Sequence, residues 1–277
     1  MRRRLDAEMV RRRLVPSRTQ AVEVIGRGAV LVRGAVADKA ARLVDESDPI
    51  VMMAGAPRFV SRGGLKLEAA LDRFAVDVTG LTVLDVGAST GGFTDCVLQR
   101  FAAAVIAVDV GFGQLHERLR GDRRVEVHER CNVRTEALAT VLGGRRVRLV
   151  VGDLSFISLR SVAPSLLGAV TADASLVLLV KPQFEAGRSE VAKGRGVVRD
   201  PAVWRRVLQE VADAFAGGGA GMMAVMPSPI TGADGNVEFL ARFDVQRSSA
   251  EPDVAAMIDR VVGEALVCHG RPPAEPS

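Results

Sequence analysis

Tyrosine is absent from the 277-residue sequence, and tryptophan occurs once, at Trp204. A chain so poor in large aromatic rings has little to stack on a run of unpaired bases, so any contact with nucleic acid has to be mainly electrostatic. Cysteine and histidine are scarce as well: Cys96, Cys131 and Cys268, and His116, His128 and His269. They lie far apart, without CxxC or HxxxH spacing. That argues against a zinc site or a disulfide framework, and it makes a reducing cytoplasm the simplest setting. Long apolar runs are missing too. The longest uncharged stretch, residues 214–233, carries five glycines and two prolines and cannot form a membrane span. After the first arginines, Asp6, Glu8 and three more arginines interrupt any apolar region, so no signal peptide is read.

What is present in excess is positive charge at one end. Residues 1–33 hold nine arginines against Asp6, Glu8 and Glu23, a net +6, whereas the remaining 28 basic and 30 acidic residues leave the rest at −2. A polyanion-binding appendage on a near-neutral body is expected. Within residues 1–55, Leu5, Met9, Val10 and Leu14 form a helical apolar stripe with Arg4, Arg11 and Arg12 off it. Ser17 and Gln20 open a second short helix as a capping box, and Val30-Leu31-Val32 and Pro49-Ile50-Val51-Met52-Met53 read as strands. This pattern, through Arg3-Arg4-Leu5-Asp6, Ser17-Arg18, Ala21, Ile25 and Gly28-Ala29-Val30-Leu31-Val32, resembles the αL-type RNA-binding module named for the fourth small-subunit ribosomal protein. An Asn is common before the turn glycine in that family, and Arg33 stands there in this sequence. Arg3, Arg4, Arg11, Arg18 and Lys39 are the expected phosphate contacts.

A linker over residues 56–65, which starts within Ala54-Gly55-Ala56-Pro57, leads to a body over 66–248. There, strand signals at 82–86, 104–109, 125–128, 147–152, 175–180, 221–226 and 238–245 alternate with helix signals at 92–101, 112–120, 134–142, 158–168 and 201–216. Such alternation predicts a doubly wound, Rossmann-like α/β sheet with its ligand at the C-terminal strand ends, preceded by the small α+β domain. Residues 249–277 are expected to give a C-terminal helix and a disordered Pro-rich tail from Gly270.

The densest signal follows the first strand of the body: Asp85, then the turn Gly87-Ala88-Ser89-Thr90-Gly91-Gly92-Phe93. Three readings compete for it. A dinucleotide fingerprint wants a second glycine where Ser89 stands. A GxSxG nucleophile elbow fits Gly87, Ser89 and Gly91, but it needs a later acid and histidine, and His269 is the only late histidine. An S-adenosyl-L-methionine pocket fits Asp85 and the turn, with Asp109 closing the next strand to take the ribose hydroxyls and Asp153 closing the fourth. Three strand-end acids on one rim suit a cationic sulfonium better than a pyrophosphate.

The fourth strand is followed by Asp153-Leu154-Ser155-Phe156, not by the (Asn/Asp)-Pro-Pro-aromatic motif of amine-directed base methylation. No Cys-Pro at a strand end offers a cytosine-C5 nucleophile. Instead Lys181 closes the fifth strand, Glu238 opens the last, and Lys66 lies beside the stripe of a helix that follows Ser61-Arg62-Gly63-Gly64-Leu65. From that helix alone Lys66 reads as a solvated lysine. Together Lys66, Asp153, Lys181 and Glu238 resemble the catalytic set of FtsJ-like ribose 2′-O-methyltransferases. With Lys181-Pro182-Gln183-Phe184-Glu185 and the Arg-rich start, the chain resembles the TlyA family up to about residue 245.

The resemblance implies 2′-O-methylation of cytidine in ribosomal RNA, in subunits or intact ribosomes, with S-adenosylmethionine as cofactor and no obligate protein partner. Some members of that family are also called haemolysins; the lack of a membrane-competent segment gives a pore-forming role no support. A ribose hydroxyl is a poor acid, so paired lysines near carboxylates make chemical sense as its activators. Residues 188–199, with Arg188, Lys193, Arg195 and Arg199 against Glu190, are expected to close over substrate. A non-catalytic RNA-binding protein and a GxSxG hydrolase remain as alternatives.

Overall fold

The computed structural model describes residues 2–26, 28–37, 39–53, 58–134, 137–232, 234–245 and 252–269. The expected start of the linker at Ala54-Gly55-Ala56-Pro57 and the tail from Gly270 lie outside the described residues. The chain divides into two compact units, Met1–Gly64 and Leu65–Ser277.

The first unit contains β1 (Arg3–Arg4), α1 (Leu5–Arg11), α2 (Arg18–Gly26), β2 (Val30–Val32), β3 (Ala35–Val36), β4 (Leu43–Val44) and β5 (Ile50–Met52). The apolar stripe packs as expected: Leu5 and Met9 of α1 share one core with Ala21 and Ile25 of α2 and Val30 and Val32 of β2. Ser17 Oγ accepts a hydrogen bond from the Gln20 N–H at 3.2 Å and starts α2. Val32 pairs with Ala35, so Arg33 and Gly34 form a two-residue hairpin turn. Both have positive φ, 54° and 81°, the combination whose twist matches that of the flanking strands. An arginine carries steric strain there that asparagine largely escapes. Its guanidinium is held by the Asp48 carboxylate at 2.5 Å.

At the unit boundary α3 (Gly63–Arg73) begins, followed by β6 (Thr82–Val86), α4 (Gly92–Gln99), β7 (Ala104–Val108), α5 (Glu117–Arg120), β8 (Val125–His128) and α6 (Ala137–Leu142). Then come β9 (Val147–Gly152), α7 (Leu159–Gly168), β10 (Val170–Val180), α8 (Pro182–Glu185), α9 (Arg188–Lys193), α10 (Pro201–Gly217), β11 (Gly221–Pro227), β12 (Phe239–Asp244) and α11 (Val254–Cys268). Among the described residues these strands form one seven-stranded sheet in the order β11-β12-β10-β9-β6-β7-β8. The run from β10 to β8 is parallel, and β12 is antiparallel to both of its neighbours.

Val83 to Val86 are buried without a break, the pattern of a parallel strand covered on both faces. Leu84, Val86, Ile106 and Val150 join a core that includes Leu166 of α7, Phe215 of α10 and Val262 of α11. Phe215 stacks on Phe243 of β12 with ring centroids 4.2 Å apart. Strand order reverses at β6, between β7 and β9, and a crevice is expected at the carboxyl ends there.

Two elements differ most from the sequence expectation. β10 starts at Val170, five residues early, because a register shift lies between Val170 and Ser175 and polar Thr171 and Asp173 hide the strand. The helix expected over 112–120 shrinks to Glu117–Arg120, since Gly113 takes φ +68° and the chain before it turns along the crevice.

Candidate active site

A cleft of about 510 Å³ opens at the ends of β6, β7 and β9, lined by residues that include Gly87, Ser89, Asp109, Gln114, Asn132 and Asp153. Its floor is the glycine turn. Gly87 and Ala88 both donate to Val108 O, at 2.8 and 3.2 Å, which ties the turn to the end of β7. Gly87 has φ +79°, and a Cβ there would lie 2.8 Å from the Asp153 carbonyl oxygen, so only glycine fits. Asp109 accepts the Ser89 N–H at 2.7 Å and the Gly111 N–H at 2.6 Å, one on each carboxylate oxygen. Each oxygen keeps a lone pair for a ligand hydroxyl. Thr90, whose carbonyl accepts from the His116 N–H, and the buried Ala88, Gly91, Gly92 and Phe93 build the turn and the start of α4 behind the cleft.

Asp85 lies deeper, fully buried at the end of β6. Thr94 donates its hydroxyl to Oδ2 at 2.6 Å, while Oδ1 is buried with no hydrogen-bond partner. Burial, then the like charges of Asp153 and Asp109, push its pKa up to about 7, against the weaker opposing hydrogen bonds of Thr94. A buried acid with an orphaned oxygen, two residues ahead of the glycine turn that lines the cleft, fits a ligand with positive charge. S-adenosylmethionine has that charge on its sulfonium and amino groups.

The four residues of the expected catalytic set form two ion pairs. Lys66 Nζ of α3 lies 2.5 Å from Glu238 Oε2, both side chains under 10 % exposed. Lys181 Nζ, at the end of β10, lies 2.6 Å from Asp153 Oδ1. Gln183 Nε2 donates to the other oxygen of Glu238 at 3.5 Å. Asn236 accepts from the Val198 N–H and donates to Gly196 O, both at 2.9 Å, so it fixes the backbone of residues 196–198 ahead of α10.

Residues 59–244 match the FtsJ-like methyltransferase family, and residues 3–50 match the S4 domain. The chain belongs to the FtsJ-like methyltransferases, in the TlyA family. It is 45% identical over 266 residues to the 16S/23S rRNA (cytidine-2′-O)-methyltransferase TlyA of Mycobacterium tuberculosis, covering 95% of this chain and 98% of that one. It is 37% identical over 240 residues to hemolysin A of Brachyspira hyodysenteriae, covering 87% of this chain and 99% of the other. A solved Streptococcus thermophilus structure, described as a candidate haemolysin, matches with a TM-score of 0.76 at 37% identity over 96% of each chain. Among the described residues, no helix is long and apolar enough to cross a membrane.

Other residues of this FtsJ-like methyltransferase follow local logic. Val110, Gln114, Cys131, Asn132, Val133 and Ile157 also line the cleft and were not read from the sequence. Their only signal is position in the loops that leave β7, β8 and β9. Ser89, weighed above as a nucleophile, donates its hydroxyl to Gln114 Oε1 at 3.2 Å, and His269 contacts Ser228 O. Neither arrangement supplies the serine–histidine pair a hydrolase needs. Glu185, which the sequence offered without a role, accepts from the Ser158 hydroxyl and the Leu159 N–H at the start of α7. Residues 188–199 contain the short helix α9, and Glu190 is paired with Arg206 at 2.6 Å.

In the S4 domain the expected RNA-contacting arginines converge on acids. Arg4 and Arg18 share Asp6 Oδ2 at 2.9 and 2.8 Å. Arg11 and Arg12 share Glu8 Oε1 at 2.7 Å, with Arg3 at 3.7 Å from the second oxygen. Asp6 and Glu8 are buried while the guanidinium groups of Arg3, Arg4, Arg11 and Arg18 reach solvent. Lys39 is exposed.

Proposed function

We propose that this protein transfers a methyl group from S-adenosylmethionine to the ribose 2′-hydroxyl of cytidine in ribosomal RNA. The substrate is RNA within ribosomal subunits or intact ribosomes, and the site of action is therefore the cytoplasm. The observation that carries this reading is the two lysine–carboxylate contacts, Lys66 with Glu238 and Lys181 with Asp153, the last of which also lines the cleft beside the glycine turn. The mycobacterial relative's name supports the nucleoside and the position on it.

Gly87, Ser89, Asp109 and Asp153 would hold the cofactor, with Asp85 supplying negative charge beneath. When bound, S-adenosylmethionine supplies a methyl group on a positively charged sulfur. The protein's own residues then have three tasks. Lys181 contacts and activates the 2′-hydroxyl. Lys66 tunes that ammonium's surroundings from the opposite pair. Asp153 and Glu238 orient the two ammonium groups and limit the positive charge of the cluster. Arg3, Arg4, Arg11, Arg18 and Lys39 take phosphates, a contribution that weakens with salt.

Labelled S-adenosylmethionine and ribosomal subunits or intact ribosomes, followed by mapping of ribose methylation, test the proposal. Label on a cytidine 2′-oxygen is the expected result. Cofactor and RNA binding without transfer would leave the non-catalytic RNA-binding reading instead.

A further inference from the structure

Three partners surround the Lys181 ammonium: Asp153, Ser155 and the ring of Phe184. They contribute different things. Asp153 Oδ1 lies 2.6 Å away and supplies the opposite charge. Phe184 offers its ring 5.6 Å from Nζ, an attraction with little directional demand. Ser155 Oγ accepts a hydrogen bond from Nζ at 2.7 Å. Asp153 therefore supplies charge, and the Ser155 hydroxyl adds a second, neutral point that fixes the direction of the ammonium.

The backbone around Ser155 points the same way. Phe156, the next residue, has φ +64°, a conformation uncommon for a bulky side chain. Its ring packs on Phe184 at 5.1 Å, and the Asp153 carbonyl abuts Gly87. Ser155, an exposed residue, lies between these two contacts and lines the cleft.

We infer that Ser155 is a positioning residue for the transfer reaction: it fixes the orientation of the Lys181 ammonium toward the ribose hydroxyl. This rests on the proposed ribose methylation. The test compares Ser155→Ala and Ser155→Thr with wild type in the full chain. For Ser155→Ala, kcat toward ribosomal subunits falls about tenfold, as the loss of one hydrogen bond to a charged group implies. The pH–rate profile moves, while KM for S-adenosylmethionine and RNA affinity hold. Ser155→Thr, which keeps the hydroxyl, restores most of the rate. Wild-type kcat and pH profile in Ser155→Ala, a threonine variant as slow as alanine, or an equal loss of cofactor affinity each overturn the inference.

Nitrogen-15 NMR of the Lys181 ammonium distinguishes the two levels. Its hydrogen-bonded signal should be lost or displaced in Ser155→Ala. An unchanged signal overturns the positioning and leaves the transfer reading standing. A wild-type protein that methylates no ribose overturns that reading, and with it the role given to Ser155.

Discussion

In the S4 domain, Asp6 and Glu8 are buried with guanidinium groups gathered on them; in the methyltransferase unit, Asp85 is buried with only a threonine hydroxyl. The titration of the two sets moves in opposite directions. Hydrogen bonds from Arg11 outweigh burial and lower the Glu8 pKa to about 2, and Arg4 lowers Asp6 in the same sense. Burial raises Asp85 to about 7. A carboxylate lowered in the fold stabilises it above the usual acid range, and that contribution is lost as pH falls toward 2. A carboxylate raised in the fold binds its proton more tightly there than in the unfolded chain. Its cost to the fold therefore grows as pH rises from about 4 to about 7. The first unit uses acids to present cations; the second leaves a buried acid unmatched.

This contrast can be broken most directly by removing one partner from an ion pair in each unit. Glu238→Ala leaves Lys66 buried and unpaired and should destabilise the protein by about 3–5 kcal/mol, read from chemical denaturation. The matching deletion Arg11→Ala, at a half-exposed guanidinium screened by solvent, should change stability far less. Equal losses would show that burial of the cation does not separate the two units.

Asp85→Asn sharpens the comparison from the other side. In protein without cofactor it should raise stability at pH 8 by up to about 4 kcal/mol, and flatten the pH dependence between 4 and 7. Thermal melts across that range check it, and a wild-type slope in the variant would count against an unmatched charge at Asp85. The smallest expected effect has a sign that simple charge counting gets wrong. Asp6→Asn makes the protein more positive, yet it releases Arg4 and Arg18 from their shared oxygen and should weaken RNA binding several-fold, by about 1 kcal/mol. Tighter binding across a salt titration would mean that Asp6 merely offsets charge.

How much of this was legible follows the range of the interactions. The sheet was readable because its strands are continuous apolar runs and its helices carry periodic stripes, both local properties. Lys66 looked like a surface lysine on its own helix and became meaningful only beside Lys181 and Glu238. Its distance to Glu238 then belongs to the tertiary structure, 172 positions apart in sequence. The arginine count announced a polyanion surface but said nothing of Asp6 and Glu8 beneath it, because i,i+2 neighbours on a helix do not predict which acid gathers which arginine. Gln114 and Asn132 had no periodicity to betray them; loop residues enter a site through backbone turns such as that at Gly113.

The two glycines at the cleft are unequal places to alter its size. A methyl group at position 87 would meet the Asp153 backbone at 2.8 Å, which cannot yield without moving the carboxylate paired with Lys181. At position 111 the nearest obstacle is the Gln114 amide at 2.3 Å, the mobile end of a side chain, with Asp109 Oδ1 next at 3.0 Å. An enzyme reshaped for bulkier cofactor analogues would therefore be remodelled from the Gly111–Gln114 wall, leaving the Gly87 hinge of the site as it is.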